Sequence, residues 1–211
     1  MEDNQIIDEM LNEFKQRQDP FNLKDLSTFA ETFKPVQYTE FTTKIDLLDN
    51  MLTINNTKAG FRTSRLYTLL GCTGSGKSLF MFELALRLSI YNKPDYRGNY
   101  KLCILYISLE NTEDQTKDRL DSMGLLPSAD FPVWVSHPTY DRILGGFYVE
   151  SIIREIEELK QNVGLYPVVI ILDYLGELES EGTNSYEAMG KVAKDLKNIA
   201  KQYNTCIITA A

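Results

Sequence analysis

The sequence predicts an α/β domain, a mainly parallel sheet with helices on both faces, preceded by a short helical appendage. Three observations predict it. Apolar runs of strand length, among them KLCILYISL at 101–109 and PVVIIL at 167–172, alternate with segments of helical periodicity. That alternation joins parallel strands through crossovers. The octet Gly71-Cys72-Thr73-Gly74-Ser75-Gly76-Lys77-Ser78 separates one apolar run from one helical segment, and Asp173 closes another run, where open α/β sheets bind their ligands. The expected division is an appendage over 1–40 and the sheet domain over 41–211.

Taken in order, Ile6, Ile7, Met10, Leu11 and Phe14 recur at helical spacing, and Asp19-Pro20 breaks the pattern. Asn22 caps a second helix carrying Leu23, Leu26, Phe29, Ala30 and Phe33, and Pro35 ends it. An apolar stripe states only that something covers it, so the first helix packs either on its own domain or on a neighbouring copy. Residues 45–65 mix helical spacing with a turn at Asn55-Asn56-Thr57 and lead through Gly60-Phe61 into the strand 66–70. Helix 77–91 follows the octet, and a loop with Pro94 and Gly98 leads to the strand 101–109. A polar helix is expected over 113–123 and a short strand over 131–135. The next helix places Ile152, Ile153, Ile156 and Leu159 on one face and closes at Gly164. After the strand ending at Asp173 comes a loop over 174–184. A helix then carries Tyr186, Met189, Ala193, Leu196, Ile199, Ala200 and Tyr203, and a last strand spans 206–209.

Composition bounds the rest. At 211 residues with 43% hydrophobic and 25% charged side chains, the chain can bury a full core. No apolar run approaches the ~20 residues of a membrane span, and the acidic start Met-Glu-Asp-Asn-Gln lacks a signal-peptide pattern. Three cysteines without CxxC spacing point to a reducing compartment without structural zinc or disulfides. Cys103 and Cys206, in apolar runs, read as core residues. Cys72 sits in the glycine-rich loop, where oxidation could reach it. The net charge of −8 argues against a broad electrostatic grip on DNA by this chain alone, though not against a narrow basic channel built by several copies.

The chemistry is concentrated in two places. Strand, G-x4-G-K-S and helix form the Walker A phosphate loop, whose glycines 71, 74 and 76 turn backbone N–H groups inward. The helix adds its positive dipole end; Lys77 reaches the β/γ-phosphates, and the Ser78 hydroxyl ligates Mg²⁺. An ordinary Gly/Ser loop is the bland alternative, and the complete motif in its strand–helix context outweighs it. Asp173, after four apolar residues, is the Walker B pattern and a second Mg²⁺ ligand, where a lone aspartate would read as a turn cap. Hydrolysis also needs a group that activates water. The position after Asp173 is Tyr174, so Glu110, at the end of the strand 102–109, takes that role. Glu177, Glu179, Glu113 and Asp114 are its substitutes. His137, Trp134, Arg62 and Arg65 read as structural or solvated residues.

The order G-x4-G-K-S, LYISLE at 105–110 and IILDYL at 170–175 resembles the RecA-like core of DnaB-type replicative DNA helicases. The stretch Asn184-Ser185-Tyr186, Lys194-Asp195-Leu196-Lys197, Ala200 and Ile208-Thr209-Ala210-Ala211 looks most like the phage members. The resemblance spans residues 43–211. It implies ATP and Mg²⁺ as cofactors, Lys77 and Ser78 on phosphate and metal, Glu110 as catalytic base and Asp173 as the Walker B aspartate. It also implies a RecA-like sheet with the last strand inserted between the Walker A and Walker B strands. The implied assembly is a homo-oligomer, a hexameric ring moving on single-stranded DNA in the cytoplasm, the host's if phage-encoded. A primase or helicase loader would be its partner, and no membrane is involved. The family continues with a glutamine, DNA-binding loops and an arginine finger where this sequence stops at Ala211, and it carries a larger N-terminal helical domain. The expectation is therefore a truncated chain whose DNA-touching segments are missing. Competing readings are a recombinase or repair ATPase on the same core, a nucleotide-dependent scaffold without translocation, and a P-loop kinase.

Overall fold

The computed structural model describes residues 39–52, 60–92, 102–122, 133–138, 146–178 and 185–211, all within one unit of the chain, Tyr38–Ala211. The helices expected over 1–35, the turn at 55–57, the loop with Pro94 and Gly98, Phe131, Pro132 and residues 179–184 of the loop expected over 174–184 lie outside them.

Five parallel strands form the central sheet: β3 (Arg65–Leu69), β4 (Ile104–Ser108), β5 (Val133–Ser136), β6 (Val169–Asp173) and β7 (Cys206–Ala210). Their order is β3-β7-β6-β4-β5. The last strand thus enters between the strand before the glycine-rich loop and the strand ending at Asp173. The three inner strands are buried along their whole length. That is why they read as unbroken apolar runs rather than alternating ones.

Side-chain parity divides the core between the two faces. Ile104, Tyr106, Val169, Ile171, Cys206 and Ile208 face one way, against Met81, Phe82, Leu84, Ala85 and Leu88 of helix α2 (Lys77–Tyr91). Cys103, Leu105, Ile107, Ile170, Leu172 and Ile207 face the other way. There they meet Ile152, Ile156 and Leu159 of α4 (Val149–Val163) and Val192, Leu196, Ile199 and Ala200 of α5 (Ser185–Gln202). Gly164 closes α4 in the left-handed conformation, φ 81°, as its sequence position predicts. On α5 the buried face runs through Val192, Leu196, Ile199 and Ala200, an i, i+4, i+7, i+8 stripe. Met189, expected on that face, is instead exposed.

A small antiparallel pair, β1 (Glu40–Phe41) with β2 (Phe61–Arg62), precedes the sheet. Arg62 pairs with Glu40 across it at 2.6 Å, a cross-strand ion pair in place of the solvated arginine expected from sequence. Helix α1 (Asp46–Met51) supplies Asp49, whose carboxylate accepts hydrogen bonds from Thr42 Oγ1, from Thr43 N and Oγ1 and from Lys44 N. One carboxylate therefore organises the turn that carries the chain from β1 into α1. Among the described residues no helix is long and apolar enough to cross a membrane.

Candidate active site

The site forms where β3, β4 and β6 end and α2 begins. Gly74 and Gly76 adopt φ values of +77° and +86°, which L-residues with a side chain rarely take. At Gly71 a Cβ would lie 2.8 Å from Ser75 Oγ, so that hydroxyl would have to turn away. Gly76 is also the N-cap of α2, so the loop runs straight into a helix N-terminus with its unpaired N–H groups. Lys77 Nζ donates to the carbonyls of Gly71 at 2.6 Å and Cys72 at 3.2 Å. The amine therefore lies across the loop it belongs to.

The β4–β6 register sets Ser108 opposite Asp173, and Leu109 N donates to the Asp173 carbonyl at 2.8 Å. That pairing carries Glu110, just past β4, to the same sheet edge as Asp173. Ser78, in the first turn of α2, lies between the two acids. Its Oγ is 2.9 Å from Asp173 Oδ1 and 3.2 Å from Glu110 Oε2. On the buried side, Tyr106 donates its hydroxyl to Asp173 Oδ2 at 2.8 Å, and Asn111 Nδ2 reaches the same oxygen at 3.5 Å.

A cleft of about 330 Å³ opens at this edge, lined by Gly71, Thr73, Gly74, Gly76, Lys77, Ser78, Glu110, Arg119, Asp173 and Tyr174, among others. Of the loop residues 71–78, Glu110 and Asp173, all line it except Cys72 and Ser75, and the Ser75 N–H donates to the Cys72 carbonyl. Electrostatically the site opposes two carboxylates to two cations. Burial pushes the Asp173 carboxyl above its ordinary value and Glu110 adds to the rise, while Tyr106, Ser78 and Arg119 act the other way without cancelling it. The Tyr106 phenol is pushed far up by burial and by the adjoining Asp173, so it stays a proton donor at every physiological pH.

The substitutes for Glu110 fare differently. Glu177 hydrogen-bonds Tyr174, and Glu113 and Asp114 are exposed at the start of α3 (Glu113–Ser122) rather than lining the cleft; Glu179 lies outside the described residues. His137 accepts a structural part, its Nε2 2.8 Å from Thr116 Oγ1. Trp134 packs partly buried against the α4–α5 core. The sequence reading missed Arg119 and Tyr106. No short motif marks Arg119, which α3 delivers to the cleft. Tyr106 carried a signal: a phenol in an otherwise aliphatic buried strand must find a partner.

The donor set fits a magnesium-bound triphosphate. A serine hydroxyl and two carboxylates are hard oxygen donors suited to Mg²⁺, and inward backbone N–H groups with a nearby ammonium suit phosphate.

Residues 55–211 match the family model described as an AAA domain. The chain is 28% identical to a DnaB-like replicative helicase of Enterobacteria phage T4 over 183 residues, covering 74% of this chain and 36% of that protein. It is 26% identical to a probable replicative DNA helicase of Trieres chinensis, covering 94% of this chain and 46% of that protein. It thus spans less than half the length of these relatives. A solved DnaB-like replicative helicase, described with its interactions with primase, shares the fold at a TM-score of 0.53 and 16% identity over 72% of this chain and 39% of that one. With the phosphate loop following β3 and the last strand inserted between β3 and β6, the chain belongs to the AAA domain family and has the RecA-like P-loop core found in DnaB-like replicative helicases.

Proposed function

We propose that this chain is the ATP-hydrolysing motor core of a ring-forming replicative DNA helicase, which unwinds duplex DNA by translocating on one strand. The observation that carries the reading is the Ser78 hydroxyl held between Asp173 and Glu110 at the mouth of the phosphate loop. A nucleotide-binding loop alone would not need a second acid there.

In this reading the loop N–H groups and the α2 dipole hold the triphosphate. Lys77 exchanges its bonds to the Gly71 and Cys72 carbonyls for β/γ-phosphate oxygens. Ser78 and Asp173 hold Mg²⁺, directly or through water. The metal, when bound, neutralises phosphate charge and orients the γ-phosphoryl group. Glu110 takes a proton from the attacking water, and Arg119 adds a second cation beside Lys77. The ring is a homo-oligomer, a hexamer, working in the cytoplasm. With a net charge of −8, single-stranded DNA is gripped in a narrow channel between subunits rather than on a broad basic face. A primase or a helicase loader is the proposed partner. Residues 1–40 are read as an appendage on the periodicity of their sequence.

The test is a pair of substitutions. Lys77→Ala abolishes tight ATP binding and turnover. Glu110→Gln keeps ATP bound and slows hydrolysis by about two orders of magnitude or more, the contribution of a positioned base. Wild-type turnover in Glu110→Gln moves the base elsewhere. Full turnover retained in Lys77→Ala refutes the phosphate-loop assignment and the motor reading with it.

A further inference from the structure

We infer that Tyr106 is a positioning residue for Asp173: its hydroxyl fixes one carboxylate oxygen against the core so that the other faces the metal position. The inference rests on the motor reading and deepens it. Tyr106 lies on β4 two residues before Ser108, the partner of Asp173 across the β4–β6 ladder, so its ring stands diagonal to the aspartate on the same sheet face. The ring is buried and meets Phe82 edge to face, centroids 5.2 Å apart. A phenylalanine would satisfy that packing equally well. The hydroxyl is therefore not explained by the core, where an extra polar group only adds a cost unless bonded.

What it does is divide the carboxylate. Oδ2 accepts from Tyr106 at 2.8 Å and, at the limit of hydrogen bonding, from Asn111 at 3.5 Å; Oδ1 lies 2.9 Å from Ser78 at the cleft. The terminal torsion of an aspartate is broad, so the side chain does not select by itself the angle at which one oxygen meets the cleft. The phenol chooses for it. Partners that orient a metal-binding side chain in this way contribute about 10–100-fold to metal affinity.

The experiment uses the 211-residue chain and a ribose-labelled fluorescent ATP, with MgCl₂ titrated at fixed nucleotide. Tyr106→Phe is expected to raise the Mg²⁺ concentration for half-maximal binding about tenfold or more, and to leave Mg²⁺-free binding to the phosphate loop unchanged. Phe82→Leu disturbs the same packing without touching the hydroxyl. It is expected to lower the melting temperature and leave the Mg²⁺ half-point alone. An unchanged half-point in a folded Tyr106→Phe protein overturns the inference while the motor reading stands. A half-point that moves equally in Phe82→Leu also overturns it, since packing would then be the cause. Wild-type binding indifferent to Mg²⁺ overturns the motor reading and the inference with it.

Discussion

Replacing Asp173 by asparagine separates what this residue does for folding from what it does for nucleotide. Its carboxylate is fully buried, and burial raises its pKa in the folded chain above the ordinary 3.8 despite hydrogen bonds from Tyr106 and Ser78. The folded state then binds more protons than the unfolded state between the two pKa values, so stability falls as pH rises through that window and stays low above it. At neutral pH the buried charge therefore works against folding. Asparagine has no charge to bury. Its carbonyl still accepts from Tyr106, and its amide can donate to Ser78 Oγ. In EDTA, Asp173→Asn is therefore expected to melt about 2–4 °C above wild type per kcal/mol recovered. The gap should widen as the buffer goes from acid to neutral. With Mg²⁺ and ATP the order reverses. Ligand at a hundred times its Kd stabilises the wild type by about 2.7 kcal/mol, and the variant gains little. Thermal unfolding across pH, with and without Mg-ATP, reads both effects. An Asp173→Asn protein destabilised by about 2 kcal/mol in EDTA, the cost of a broken buried network, refutes the reasoning and makes Asp173 a structural cap.

Two further outcomes follow from other sites. Asp49 has the opposite sign: burial raises its carboxyl, but hydrogen bonds from Thr42, Thr43 and Lys44 outweigh it and the pKa falls below 3.8. Its stabilisation is present above that value and is lost as pH falls through the folded pKa. Asp49→Ala, which strands the buried Thr43 N–H and hydroxyl, should cost about 2–4 kcal/mol in urea unfolding and remove the acid-side loss. The thiols sort by burial. Cys72 is exposed while Cys103 and Cys206 are buried, burial pushing Cys103 up to about 12 and Cys206 higher still. A thiol reagent should therefore modify Cys72 in the native chain, more slowly with nucleotide bound, and reach the other two after denaturation.

Most of the sheet was legible because its inner strands are buried on both faces and their sequences say so without ambiguity. Strand β7 illustrates the limit. Its existence follows from Cys206-Ile207-Ile208, but its place between β3 and β6 does not follow from any local pattern; the family resemblance supplied it. The β1–β2 pair and Asp49 went unread because two-residue strands carry no periodicity, and an aspartate in a short helix looks like any solvated acid. On α5, Met189 and Val192 are both apolar and three residues apart, so the stripe could be drawn through either. Only the position of the sheet decides that Val192 is covered. The glycine-rich loop was legible because its backbone geometry, with Gly74 and Gly76 at positive φ, is written locally. Arg119 was not, because what brings it to the cleft is the path of α3 and not its neighbours in sequence.

The same parity that builds the core also fixes the site. Val169, Ile171 and Asp173 alternate on the α2 face of β6, as Ile104, Tyr106 and Ser108 do on β4. The helix that covers this face begins at the phosphate loop. A one-residue slip of β6 against β4 would turn Asp173 to the α4–α5 side, toward the aliphatic cluster of Leu175, Val192 and Leu196, where burying a carboxylate is costly. In the observed register it meets Tyr106 and Ser78. Burying an acid at a strand end is thus tolerable in one register only. The residue that weakens the fold at neutral pH also helps to select the pairing that places it beside the nucleotide loop.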